Sequence, residues 1–404
     1  MTMSRNLWLV YVALAGLAWG TYVPLIAYGG GQLGGRPEAR LLAILCVGVA
    51  YFLLGVLYPM VYLLRLPANA RPERSVTGLL FSGLAGAAGA LGAICVIFAT
   101  SNAMAQAKAF HLADPTAYKL YIAPLIFGLA PIINTLVSTV WHPQKGRPLH
   151  FGWAQPNGLL WLGIILVGVG AATVLYSKEL SEAKPAAQAT ATAAEGHPSL
   201  GEEIRAGFAG AHPWLLYVAL AGLAWGTYVP LIFFGGSELG GKPSSRLLAI
   251  LCVGVAYFLI AVLYPGVSLA LTPAAGQPNW SSGTGLTFAS LAGAAGAIGA
   301  ICVIFATKSA IEAARASNLP PATYKLYIAP LIFGLAPVIN TLVSMVWIHK
   351  TGPLEFGLEV PHWSLWLGIV AVGLGAALVL YSKEVSEAAP KPAAQPALAP
   401  EAVP

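Results

Sequence analysis

The sequence predicts an all-α membrane protein of ten transmembrane helices, arranged as two inverted five-helix repeats. Three observations carry this reading. Only 9% of the 404 residues are charged and 57% are hydrophobic, whereas a soluble domain carries about 25% charge. Uncharged apolar runs of the length a bilayer core requires, about 20 residues, recur along the chain. The second half also repeats the first at a spacing of about 206 residues. A mean hydropathy of +0.74 excludes a disordered chain and argues against a single soluble domain.

The apolar runs in the first half lie at roughly 7–28, 41–64, 77–101, 120–141 and 157–177. Five more follow at roughly 214–234, 247–270, 284–307, 326–347 and 363–382. No Asp, Glu, Lys or Arg interrupts any of them. The uncharged stretch Leu247–Thr307 is far too long for one crossing, and Thr272-Pro273 through Gly283 is turn-forming, so it divides in two. The first run is longer than a signal-peptide core and lacks a small-residue cleavage site, so it reads as a retained span. The domain plan is a first repeat over 1–177, a flexible Ala/Glu/Pro/Thr-rich linker over 178–212, a second repeat over 213–382, and a disordered Ala/Pro-rich tail over 383–404.

The repeat is literal in places. Tyr11–Ile26 recurs letter for letter at Tyr217–Ile232, as do Arg40–Leu53 at Arg246–Leu259, Gly92–Thr100 at Gly299–Thr307, and Tyr118–Pro131 at Tyr324–Pro337. An odd number of spans per copy makes the second copy enter from the opposite side; the alternative is four spans per copy, with one run re-entrant. Charge supports the inverted reading. With the N-terminus on one side, that side holds 13 of the 21 basic residues, and the positive-inside bias places both termini in the cytoplasm. The loop after the second span carries Arg65, Arg71 and Arg74, and its counterpart Leu271–Thr284 carries no charge.

The net charge of +6 would suggest nucleic acid in a soluble protein. Here the basic residues sit between apolar runs and orient the chain, so no nucleic acid is expected. Cys46, Cys95, Cys252 and Cys302 fall inside apolar runs and read as small packing residues. Gly29, Gly31 and Gly34 form a literal G-x-G-x-x-G, but it lacks the strand–helix setting that a dinucleotide site needs, and an interhelical loop is the plainer reading. Asn279-Trp280-Ser281 matches a glycosylation sequon. There is no phosphate-binding loop, zinc-protease pair or nucleophile elbow, and the histidines lack ligand spacing. Catalysis, metal and cofactors are therefore not expected.

The polar residues inside the spans are few and informative. Asn134 and Ser138 share a helical face with Pro131 in the fourth span, and Asn340 and Ser344 with Pro337 in the ninth. Trp19 and Tyr22 precede Pro24 in the first span, as Trp225 and Tyr228 precede Pro230 in the sixth. Trp19 lies too deep for an interfacial belt. These eight are the candidate substrate-binding residues, each weighed against an interhelical hydrogen bond or plain packing. Tyr51 and Tyr257 are weaker candidates. Pro24, Pro124, Pro131, Pro230, Pro330 and Pro337 are the candidate cavity and hinge prolines, since each removes an amide donor and loosens a carbonyl. Lys119 and Lys325 open the fourth and ninth spans. They either snorkel to the interface or attract an anion at a cavity mouth. Glycines spaced by three (Gly83, Gly86, Gly89 and Gly92, then Gly293, Gly296 and Gly299) predict close helix packing. No carboxylate lies in any span, which argues against a carboxylate-driven exchanger. Indole, phenol, amide and hydroxyl groups suit a neutral polyhydroxylated solute.

Trp-Gly-Thr-Tyr-Val-Pro in the first span of each half, and Ala-Pro-Leu-Ile-Phe-Gly-Leu-Ala-Pro in the fourth, resemble the drug/metabolite transporter superfamily. Within it the pattern is similar to EamA-type permeases and the bacterial glucose/rhamnose uptake branch. The resemblance implies ten helices, cytoplasmic termini, inverted repeats and alternating access, with Trp19, Tyr22, Asn134, Ser138 and their copies facing the cavity. The expectation is a secondary-active transporter of a small neutral metabolite, a sugar first. It would sit in a bacterial-type inner membrane as a monomer acting as a pseudo-dimer, with lipid and a small-molecule substrate as partners and the coupling ion open. The alternatives are an exporter of lipophilic or amphipathic compounds, or a membrane scaffold or sensor.

Overall fold

The computed structural model describes residues 6–34, 37–109, 119–153, 157–189, 213–240, 242–318, 328–347, 352–358 and 360–388. Among them the regular structure is helical, apart from three isolated bridges at Trp141–Phe151, Gln144–Arg147 and Trp347–Phe356. The first half contributes α1 (Leu7–Gln32), α2 (Pro37–Phe52), α3 (Tyr58–Leu64), α4 (Val76–Ala109), α5 (Lys119–Val140) and α6 (Gly158–Ala189). The second contributes α7 (Pro213–Glu238), α8 (Pro243–Phe258), α9 (Tyr264–Leu271), α10 (Gly283–Ala316), α11 (Ile328–Val346) and α12 (Trp363–Ala388). Each helix of the second half is the twin of the helix six places earlier.

Eight helices among the described residues are long and apolar enough to cross a membrane. Two further apolar helices are shorter, Gly158–Val174 and Leu331–Val346. Large apolar side chains such as Leu53, Leu162, Ile165, Leu259 and Leu367 stay exposed on the outer faces, where water would penalise them and lipid would not. The chain is an integral membrane protein.

Several helices run past their apolar runs. α4 continues to Ala109 and α10 to Ala316, because Ala, Gln, Lys and Arg extend a helix as readily as apolar residues do. α6 extends to Ala189, twelve residues into the segment expected to be linker, and α12 extends to Ala388. The rest of the linker and tail lies outside the described residues. Gly29 and Gly31 belong to α1 and not to a loop. A side chain on Gly29 would meet the backbone of Ala289, so glycine there lets two helix backbones touch. Gly34 takes φ +110° just after the helix, which a Cβ would resist.

The prolines do not break their helices. α1 and α5 run unbroken through Pro24, Pro124 and Pro131, and α7 and α11 through Pro230 and Pro337. Pro330 sits in the first turn of α11. The irregular backbone lies elsewhere. A π-helical turn, Leu53–Leu57, joins α2 to α3, and its twin, Leu259–Leu263, joins α8 to α9. Each precedes a proline, Pro59 or Pro265, at the start of the next helix. The wider turn absorbs the missing amide donor without a break.

The two halves exchange partners. α1 packs on α10 and α11 of the other half, and α7 packs on α4 and α5. α1 and α10 run antiparallel: Tyr11 stacks on Phe305, Trp19 lies against Gly299, and Gly29 meets Ala289. α1 and α11 run parallel, with Gly16 on Leu335 and Gly20 on Ile339. α6 and α12 are antiparallel, Gly163 facing Gly375 and Gly170 facing Gly368. Of the spaced glycines, Gly86 and Gly293 face Val253 and Val47, while a Cβ on Gly83 would meet nothing within 4 Å.

Two clusters mark the ends of the bundle. At one end Glu73 N–H donates to Leu239 O at 2.9 Å, Ser244 Oγ donates to Ala70 O at 2.6 Å, and Lys145 Nζ reaches Glu73 Oε2 at 3.4 Å. At the other, Asn279 N–H donates to Leu33 O at 3.0 Å. They are named here the Glu73 end and the Asn279 end.

Candidate functional site

The aromatic residues of α1 and α7 meet at the centre of the bundle. Trp19 Nε1 donates to Gly296 O and Trp225 Nε1 to Gly89 O, both at 3.2 Å. The glycine every third residue is what admits them: a Cβ on Gly92 or Gly299 would collide with the indole of Trp225 or Trp19. Phe333 packs on Trp19 and Phe127 on Trp225, each pair with centroids 5.9 Å apart. Tyr22 meets Trp225 edge-on at 6.1 Å. Together with Tyr51, Tyr228 and Tyr257 these rings enclose a void of about 80 Å3.

A larger cavity of about 320 Å3 shares Trp19, Trp225, Tyr228 and Phe333 with this box. It runs toward the Glu73 end between α5, α7, α8, α10 and α11. Asn134 and Pro131 line it, with Ser237, Thr307 and Arg246. Ligand pockets begin at about 300 Å3, so this cavity is large enough for a small metabolite, and the aromatic box alone is not.

The expected residues therefore divide. Trp19, Tyr22, Trp225 and Tyr228 line the box, and Asn134 lines the larger cavity. Asn340, the twin of Asn134, is fully buried, and neither its Oδ1 nor its Nδ2 has a hydrogen-bond partner. The Ser344 hydroxyl is buried without a partner. Ser138 is half-buried and lines neither cavity. Among the described proline side chains Pro131 borders the larger space; Pro24, Pro124, Pro230 and Pro337 are packed away, and the side chain of Pro330 lies outside the described residues. Lys119 opens α5, and Lys325 lies outside the described residues.

The two halves carry the same letters and bury them differently. Val23 and Val96 are 0% exposed, Ile26 is 1% and Ile97 is 2%. Their twins Val229, Val303, Ile232 and Ile304 are partly exposed and line the larger cavity. Tyr22 is buried with an unpartnered hydroxyl, whereas Tyr228 borders both spaces. The bundle is open toward the Glu73 end, where the second half lines the cavity, and the corresponding residues of the first half are sealed toward the Asn279 end.

Sequence reasoning missed Arg246. It was counted among the loop charges because charge was the criterion that ended each run. The available signal was its place as the first letter of the Arg40–Leu53 repeat. Arg40, its twin, holds its guanidinium 5.1 Å above the ring of Phe98. No family model, curated protein or solved structure matches this chain.

Proposed function

We propose that this chain is a secondary-active transporter of the drug/metabolite transporter superfamily, of the EamA-type or glucose/rhamnose-uptake-like kind. It carries a small metabolite with a neutral, polyhydroxylated body, a sugar first, by alternating access. The carrying observation is the unequal burial of identical residues, Ile26 sealed and Ile232 lining the cavity. One sequence motif serving as wall at one end and as plug at the other is what two exchangeable states require. The orphaned amide of Asn340 fits the same reading. A buried amide without partners is costly and gains them when the Asn279 end opens.

The working arrangement is ten crossings in two inverted repeats. α1 and α4 are the first and third crossings of one repeat and so run the same way. A second repeat in the same orientation would set α10 parallel to α1; the observed course is antiparallel. The Glu73 end then faces the cytoplasm of a bacterial-type inner membrane, with both termini on that side and the monomer acting as a pseudo-dimer. Counterflow uptake of labelled glucose by the purified protein in liposomes tests the reading. Uptake that is lost in the Asn134→Leu, Asn340→Leu double variant supports it. Uptake unchanged by both substitutions would remove the site assignment.

A second reading draws on the apolar character of the box, whose eight rings are all Trp, Phe or Tyr. Such a lining also takes lipophilic compounds, and a resistance phenotype on expression would favour export of those.

A further inference from the structure

Arg246 is the only charged side chain among the described residues that line the larger cavity. Among the described residues it has no carboxylate partner and no hydrogen bond. The hydroxyls that line the same cavity bond to their own helices, Ser237 Oγ donating to Phe234 O at 2.7 Å and Thr307 Oγ1 to Val303 O at 2.9 Å. Helix stability does not explain the position either. Arg246 stands in the first turn of α8, the end where the helix dipole disfavours a cation. A guanidinium that lines a cavity wall without a carboxylate partner is left free to pair with an anion that enters.

The twin shows where this side chain goes when its end is shut. Arg40 stands in the first turn of α2 and lies over Phe98, which in turn stacks on Tyr217 at 5.2 Å. The quadrupole of the ring takes over part of the charge. At the Glu73 end the equivalent ring, Phe305, stacks on Tyr11 at 5.5 Å, and among the described residues Arg246 has no ring contact. The same residue is parked on an aromatic face at the sealed end and faces the cavity at the open one.

We propose that the transported metabolite carries an oxyanion group, a carboxylate or a phosphate monoester. Arg246 binds it when the cavity opens at the Glu73 end, and Arg40 binds it when the Asn279 end opens. This rests on the transport reading and refines its neutral substrate: the aromatic box takes the sugar body and the arginine takes one acidic substituent. The planar fork of the guanidinium pairs two N–H groups with two oxygens of either head group.

The test compares three probes of one size on the full-length protein reconstituted in phosphatidylcholine vesicles: D-glucose, D-glucuronate and D-glucose 6-phosphate. Binding is read by quenching of tryptophan fluorescence. At least one charged sugar should bind about tenfold or more tighter than glucose, and which one identifies the head group. Arg246→Gln should erase that preference, while Arg246→Lys should keep part of it. Equal affinity for all three, a preference surviving in Arg246→Gln, or binding of glucose alone would each overturn the proposal and leave transport of a neutral sugar standing. Failure of all three to bind would overturn both readings. If Arg246→Gln does not fold, the comparison of probes on the parent protein decides.

Discussion

The rings of Tyr51 and Tyr257 stack face to face where the two halves meet, their centroids 3.8 Å apart and their planes 5° from parallel. They are twins, so their contact lies on the axis relating the halves. Each stands less than two turns before a π-helical turn. Aromatic pairs of this kind contribute about 0.5–1.5 kcal/mol beyond area burial. Tyr51→Phe keeps the stack and should change stability by less than about 1 kcal/mol. Tyr51→Ala opens a void between α2 and α8 and should cost about 3–5 kcal/mol. Thermal unfolding in detergent separates the two, and equal melting temperatures would show that the stack carries no load.

The tryptophan seats make a sharper steric prediction. Gly92→Ala drives a methyl group into the indole of Trp225, whereas Gly83→Ala, on the same helix, meets open space. Overpacking of this kind costs about 1–3 kcal/mol. Gly92→Ala should lower the melting temperature and displace Trp225, read as a shift in tryptophan emission. Gly83→Ala should leave both unchanged, and a matching response in the two variants would refute the seating of Trp225.

Asn340 and Asn134 should respond unequally to leucine. Asn340→Leu removes two buried, unpartnered polar atoms and relieves a penalty of about 1–3 kcal/mol. It should raise the melting temperature and favour the state closed at the Asn279 end. Asn134 borders the cavity, so its leucine variant should stabilise less. A melting temperature lowered by Asn340→Leu would mean that the amide has partners after all.

Accessibility reports the asymmetry directly. In a background with Cys46, Cys95, Cys252 and Cys302 replaced by alanine, Ile232→Cys should react with a membrane-impermeant maleimide added at the Glu73 end. Ile26→Cys should resist the same reagent from either end, at least tenfold more slowly. Equal rates would indicate that the sealed half opens as often as the other.

Much of this architecture is legible in the letters. The literal recurrence of Tyr11–Ile26 sets the twofold plan, and a tryptophan twelve residues into an apolar run points to the centre. Helix ends were not legible, because α4 leaves the apolar run at Ser101 and continues on residues that favour helix equally well. The irregular turns at Leu53 and Leu259 were hidden because apolar side chains do not encode a wider backbone turn. The split between Asn134 and Asn340 was beyond any reading of sequence. Identical letters cannot say which copy is open, since that belongs to a state of the bundle and not to the residue. Arg246 escaped for the opposite reason: its chemistry was visible, but its neighbours in space were not its neighbours in the chain.

The exchange of partners between halves also has a consequence in time. Trp19 bonds to Gly296, 277 residues further along the chain. At a synthesis rate of about 5–20 residues per second, the first helix waits roughly 14 to 55 seconds before its acceptor exists. Throughout that interval the small-residue face of α1, with Gly16 and Gly20, has only lipid or earlier helices against it. Assembly of the first half is thus provisional until much of the second half has been made, and whatever shelters that face in the meantime must release it.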